Sequence, residues 1–312
     1  MTQKDAYLPI EDIRKKAISL ASDLQPWENY FSLRAKEAEA ILSVFDIPRQ
    51  GLALEIGCSN GFNSCLLSYK FRRIIATDLF KQDFKTHTQA LLDSKKLLES
   101  LDITNCSILS CSGEELPFKD GTFDVVFSLN TLEHIPDRKK TAQEMNRVLK
   151  KGGLAIIVVP SFLDRIFYPL VYYRDMLARA IGRFLIAPFR KPDAPAARDG
   201  GASSKAGSSS VKEFLTLHPN FPFPEPHGAY KTLGHEFAGY LPGKWLGLFT
   251  GSGFRIKKVF STIVIPWQLL SLINPALPFK VYEKTVAWNS RVGAKYPFKY
   301  LGSNLCMIVQ KI

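Results

Sequence analysis

The 312 residues carry 46% hydrophobic side chains and a net charge of +12, enough apolar content to bury a sizeable core and too much for a disordered chain. The charge is uneven: residues 1–150 hold 20 Lys and Arg against 21 Asp and Glu, whereas residues 151–312 hold 21 against 8. Five cysteines, Cys58, Cys65, Cys106, Cys111 and Cys306, form no CxxC pair and no even set, which argues against a disulfide framework or a zinc cluster; no metal site is expected.

The start, Met-Thr-Gln-Lys-Asp-Ala-Tyr, lacks a basic segment followed by an apolar stretch, so a cytoplasmic protein is expected. Two helices are predicted within residues 9–46. Pro9 starts the first, Ile13, Ala17, Ile18 and Leu24 form its apolar stripe, and Pro26 stops it; Leu33, Ala40, Ile41 and Val44 mark the second.

Leu52-Ala-Leu-Glu-Ile56 then reads as a strand buried on both faces, running into a turn at Gly57 and Gly61. Glu55 is out of place there: a carboxylate near the end of a buried strand is costly unless loop amides or a ligand supply donors. A second apolar strand, Arg73 to Asp78, ends in a carboxylate 21 residues after Gly57. In a doubly wound sheet, that position faces the ligand crevice and suits the two hydroxyls of a ribose.

The alternation continues with a helix over about 84–101, a strand Cys106 to Ser110, and a strand Phe123 to Ser128 that leads to Leu129-Asn-Thr-Leu-Glu-His134. Asp137 is the predicted N-cap of a helix from Arg138 to Lys150, stopped by Gly152-Gly153, before a fifth strand from Leu154 to Val159. Regularity ends at Pro160. Residues 166–189 are apolar and aromatic but interrupted by arginines, which suits a lid or membrane-surface helix better than a membrane span.

Residues 191–210, rich in Gly, Ser and Pro, read as a flexible surface loop. Residues 219–239, with His227 and His235, read as an active-site wall. A helix Leu241 to Thr250, a strand Phe254 to Ile265 and a final strand Leu305 to Gln310 complete the chain. Residues 259–279 are uncharged but contain Pro266, Pro275 and Pro278, so they read as core or as the wall of an apolar site.

Gly57-Cys-Ser-Asn-Gly61 matches the G-x-S-x-G elbow of α/β hydrolases. Only a helical leader precedes its strand, however, and no oxyanion-hole loop lies upstream. A dinucleotide fingerprint, G-x-G-x-x-G from Gly57, would need glycine where Ser59 and Phe62 stand. The whole ordered series, Leu54 to Gly61, Asp78, Gly113-Glu-Glu-Leu-Pro-Phe118, Phe123 to His134 and Arg147-Val-Leu-Lys-Lys-Gly-Gly153, resembles the class I S-adenosylmethionine-dependent methyltransferases, and within them the type 11 domain, over about residues 50–160.

The resemblance implies a Rossmann-like, doubly wound, mainly parallel seven-stranded sheet with its cofactor-binding core at 51–160; around it the residues read as a helical N-terminal segment (1–50), an insertion or lid (161–240), and the rest of the core (241–312) with a second, apolar insertion over 266–299. It implies S-adenosylmethionine as cofactor. Glu55, Gly57, Cys58, Ser59 and Gly61 would line its amino-acid moiety, Asp78 would hold the ribose, Ser112, Gly113 and Glu114 would flank the adenine, and Leu129 and Asn130 would close the site. The family often has glycine at the position of Ser59 and an acidic residue at that of Ser112.

Methyl transfer from a sulfonium mostly demands alignment and exclusion of water, with a base useful for a hydroxyl acceptor. His227 and His235 are the candidates for that base. The apolar insertions and basic C-terminal half suit a lipid-like or lipid-linked O-acceptor, with an anionic membrane surface as a further candidate partner. A glycan acceptor and a non-catalytic scaffold are the alternatives. No nucleic-acid partner is expected, because no RNA-binding module is recognisable.

Overall fold

The computed structural model describes residues 10–20, 34–35, 37–38, 41, 51–79, 85–186, 226, 228–265, 267–274 and 277–312. Seven strands, β1 (Leu52–Ile56), β2 (Arg73–Asp78), β3 (Cys106–Ser110), β4 (Phe123–Leu129), β5 (Leu149–Pro160), β6 (Phe254–Phe260) and β7 (Asn304–Lys311), form one sheet in the order β3-β2-β1-β4-β5-β7-β6. All neighbours are parallel except β7, which runs antiparallel between β5 and β6. The predicted mainly parallel, doubly wound sheet is therefore present.

Among the described residues the helices flanking the sheet include α1 (Ile10–Leu20), α2 (Phe62–Ser68), α3 (Lys85–Ser100), α4 (Arg138–Val148), α5 (Phe162–Ile186), α6 (Leu233–Gly239), α7 (Pro242–Thr250), α8 (Trp267–Ile273), α9 (Leu277–Val292) and α10 (Phe298–Leu301). Two apolar clusters cover the two faces of the sheet. One gathers Met145 and Val148 of α4 with Trp245 and Phe249 of α7; the other gathers Leu67 of α2 with Phe71, Phe127 and Phe260. Central strands buried on both sides have to be continuously apolar, as Ala155–Val159 are.

Asp137 caps α4 as predicted, accepting from the amide of Lys140 at 2.9 Å. The helix ends at Val148 rather than at Lys150, because Leu149 already pairs with Phe123 in the sheet. Gly152, at φ 76°, sits inside the bulged start of β5 instead of ending a helix. The strand predicted to reach Ile265 stops at Phe260, where the Ser261 amide turns to the carbonyl of Gly293. In the predicted second N-terminal helix, Arg34, Ala35, Glu37, Ala38 and Ile41 are helical. The 191–210 loop and residues 219–225 lie outside the described residues.

Candidate active site

The C-terminal ends of β1, β2 and β4 meet at the middle of the sheet, where strand order reverses and doubly wound folds bind ligands. Leaving β1, the amides of Gly57 and Cys58 both donate to the carbonyl of Thr77 on β2, at 2.7 and 2.9 Å. Gly57 has φ 81°, and a Cβ there would lie 2.1 Å from Oγ1 of Thr131, so the turn can approach the end of β4 only with glycine. Ser59 adopts the left-handed conformation, φ 47°, that glycine takes more easily. Its amide donates to Oδ2 of Asp78 at 2.7 Å, while the amide of Leu79 donates to Oδ1 at 2.7 Å.

Glu55 is buried beneath this turn and accepts a hydrogen bond from the Ser64 hydroxyl through Oε2; its Oε1 has no partner. Burial raises its carboxyl to about 7 against the help of Ser64, and the nearby Asp78 charge adds to the rise. Behind the turn, Gly113 packs within 3.1 Å of Ile56 at its would-be Cβ, which seats the Ser112–Glu114 loop against the end of β1. Ser112 accepts from the Glu114 amide at 3.1 Å. The Glu114 carboxylate turns away, accepting from the amide of Asp137 at 2.8 Å at the entrance to α4.

Asn130, left-handed at φ 54°, follows Leu129 at the end of β4. Its side chain reaches toward Glu37 at 3.5 Å and lines a cavity of about 590 Å³ lying beyond the ends of β4, β5 and β7. The polar end of this cavity holds Arg34, Glu37, Glu133, Asp164, Arg165 and Asn304. The apolar walls come from Ile263, Ile265, Trp267, Leu270, Pro278 and Val281, in and around the second insertion. The uncharged stretch 259–279 therefore contributes wall, as the sequence suggested.

Most of the cavity charges are held. Glu37 is paired with Arg34 and accepts from Nδ2 of Asn304 through its other oxygen. Asp164 accepts from the Trp267 indole at 2.9 Å and from Gln268. Arg165 meets Glu236 at 2.7 Å and stacks 4.3 Å above the Tyr168 ring. Glu133 is 1% exposed; His134 Nε2 lies 4.0 Å from its Oε1, and its Oε2 has no hydrogen-bond partner. Burial pushes its carboxyl up to about 8, against the pull of Arg34 and Arg138 and with Glu37 adding to the rise. Its backbone is fixed by the Ala229 amide and by Arg138 Nη2, each donating to its carbonyl at 2.9 Å.

Glu55, Gly57, Cys58, Ser59, Gly61 and Asp78 are thus brought into one linked turn, with Ser112 and Gly113 beside it and Leu129 and Asn130 at its far edge. His235 is exposed on α6, its amide capped by Thr232, and does not line the cavity. His227 lies outside the described residues. The cavity carboxylates Glu37, Glu133 and Asp164 escaped sequence reading because they stand far apart in the chain. Asp164-Arg165, a charged pair opening an apolar helix, was the one local signal.

The model of the methyltransferase domain family matches residues 54–157. An uncharacterised methyltransferase of Schizosaccharomyces pombe is 31% identical over 102 residues, covering 33% of this chain and 37% of that one. A sarcosine/dimethylglycine N-methyltransferase of Halorhodospira halochloris is 27% identical over 112 residues, covering 36% and 38%. These matches span little more than a third of either relative's length. A solved geranyl diphosphate methyltransferase in complex with S-adenosylmethionine shares the fold, with a TM-score of 0.50 at 11% identity over 95% of this chain and 94% of that one.

Proposed function

We propose, from the premise that residues 54–157 are a class I S-adenosylmethionine-dependent methyltransferase domain, that the protein transfers a methyl group to a hydroxyl of a lipid-like acceptor. The observation that carries this reading is the cavity, which joins a charged end beside Asn130 and Glu133 to apolar walls from the second insertion. Such a division suits an amphiphile whose reacting head meets β4 and whose tail lies along Trp267, Leu270 and Val281.

The turn fits the cofactor. Glu55, buried with Oε1 unpartnered, can accept from the ammonium of an amino-acid moiety, and the Asp78 carboxylate, half-buried at the end of β2, keeps lone pairs for ribose hydroxyls. Ser112 and Gly113 would border the base, and Asn130 would separate cofactor from acceptor. When bound, S-adenosylmethionine supplies an electrophilic methyl on a good leaving group, so the protein has to align, shield and deprotonate.

Glu133 is placed to deprotonate. Its Oε2, which has no hydrogen-bond partner, would take the proton of the acceptor hydroxyl, and the cofactor would supply the methyl group that replaces it. Calorimetry with S-adenosylmethionine, followed by transfer of labelled methyl into fractionated lipid, glycan and small-molecule extracts, tests the reading. Label in the lipid fraction is expected; no cofactor binding refutes the premise, and binding without transfer to any fraction leaves a scaffold.

A further inference from the structure

Three helices line the acceptor cavity, and each has two unlike faces. On α5, Asp164, Arg165 and Tyr168 point to the cavity, while Ile166, Leu170 and Leu177, at i, i+4 and i+11, are exposed on the opposite side. On α8, Trp267 and Leu270 line the cavity, while Leu269, Leu272 and Ile273 are exposed, Ile273 by 78%. The two helices pack together, and Arg174 Nη1 of α5 donates to the carbonyl of Ser271 on α8.

The third helix changes the chemistry. On α9, which packs on α8, Pro278, Val281, Tyr282 and Thr285 face the cavity. Its outward stripe, at i, i+4, i+8 and i+11, is Lys280, Lys284, Trp288 and Arg291, all exposed. Aliphatic stripes flanked by cations and a half-exposed tryptophan are the composition of a helix face that lies in the interface of an anionic bilayer. The excess of 21 Lys and Arg over 8 Asp and Glu in residues 151–312 favours the same partner. Among the described residues no helix is long and apolar enough to cross a membrane.

We infer that the outer faces of α5, α8 and α9 dock the protein on an anionic lipid bilayer, with the cavity directly behind the docked wall. Docking rests on the proposed function only in taking the acceptor to be an amphiphile, which could then pass from the bilayer into the cavity without crossing water. The apolar stripes contribute insertion, and the lysines contribute attraction that salt screens.

Flotation of the full chain with phosphatidylcholine vesicles, with and without phosphatidylserine, tests it. Binding is expected only with phosphatidylserine and is expected to fall as salt rises. The Lys280→Gln/Lys284→Gln double variant should weaken partitioning by roughly thirtyfold, and Ile273→Asp should also weaken it; neither should change S-adenosylmethionine affinity by calorimetry. Absence of flotation at low salt, binding indifferent to phosphatidylserine, or variants that bind like the parent would each overturn the inference. So would a concentration-dependent dimer, seen by ultracentrifugation and abolished by Ile273→Asp, without flotation. Cofactor binding without flotation would sink the docking surface alone, and flotation without cofactor binding would sink the methyltransferase reading alone.

Discussion

The amide of Ser59 donates to the carboxylate of Asp78 at 2.7 Å, tying the tip of the first strand-to-helix turn to the end of the neighbouring strand. One side chain therefore both shapes the turn and faces the ligand crevice. Asp78→Ala should lower S-adenosylmethionine affinity by about 2 kcal/mol, roughly thirtyfold, because hydrogen bonds to a charged group are the strong ones. Calorimetry checks this, and an unchanged affinity would remove Asp78 from the site.

Two glycines with positive φ separate backbone strain from collision. A Cβ at Gly121, φ 63°, meets nothing within 4 Å, so Gly121→Ala should cost only about 1 kcal/mol of stability and leave cofactor affinity alone. A Cβ at Gly57 meets Thr131 at 2.1 Å as well as the strain of φ 81°. Gly57→Ala should cost more than about 2 kcal/mol and weaken the cofactor too. Chemical denaturation and calorimetry on both variants give the comparison.

The buried Glu133 links stability to pH. Burial, before any other cause, pushes its carboxyl up to about 8 in the folded chain, from the 4.5 of an ordinary glutamate. Between those values the unfolded chain loses the proton while the folded chain keeps it, so stability falls as pH rises from about 4.5 to about 8, then levels off. Glu133→Gln removes this penalty. The melting temperature of the variant relative to the parent should therefore rise across that window; a constant difference from acid to alkaline pH would show that Glu133 is not held protonated. Turnover of the parent should increase as pH passes about 8 and the base ionises, and the variant should lose that increase while binding S-adenosylmethionine normally.

Thr285 lines the cavity from α9, away from the cofactor turn. Thr285→Phe should fill part of the acceptor space. The expected result is a large rise in acceptor KM with cofactor affinity within about twofold of the parent, since sites without shared partners behave independently. A parallel loss of cofactor binding would place the two ligands in one compartment.

The cofactor turn was legible in the sequence because its determinants are local. A buried parallel strand has to be continuously apolar, so Glu55 stood out within Leu52–Ile56; a tight turn needs Gly57 and Gly61; and Asp78, the carboxylate proposed for the ribose, falls at the end of the next strand at a spacing set by one helix. The limits of local reading appear at β5. Gly152-Gly153 looks like a helix stop, yet pairing of Leu149 with Phe123 starts the strand before them.

The cavity beyond β4, β5 and β7 depended on tertiary structure alone. Arg34 and Asn304 are far apart in the chain, and they meet at Glu37 only because β7 inserts antiparallel between β5 and β6 and brings Asn304 beside Pro160. A carboxylate such as Glu133 is costly to bury and therefore reads from sequence as a surface residue of a polar turn. Only the folding of Gly228 and Ala229 over its carbonyl shows it enclosed. The methyl donor was thus written into contiguous residues, whose conformations are decided by near neighbours. The cavity proposed for the acceptor was decided by strand order and by helices folded over it, because burial and opposing charges are properties of the assembled chain.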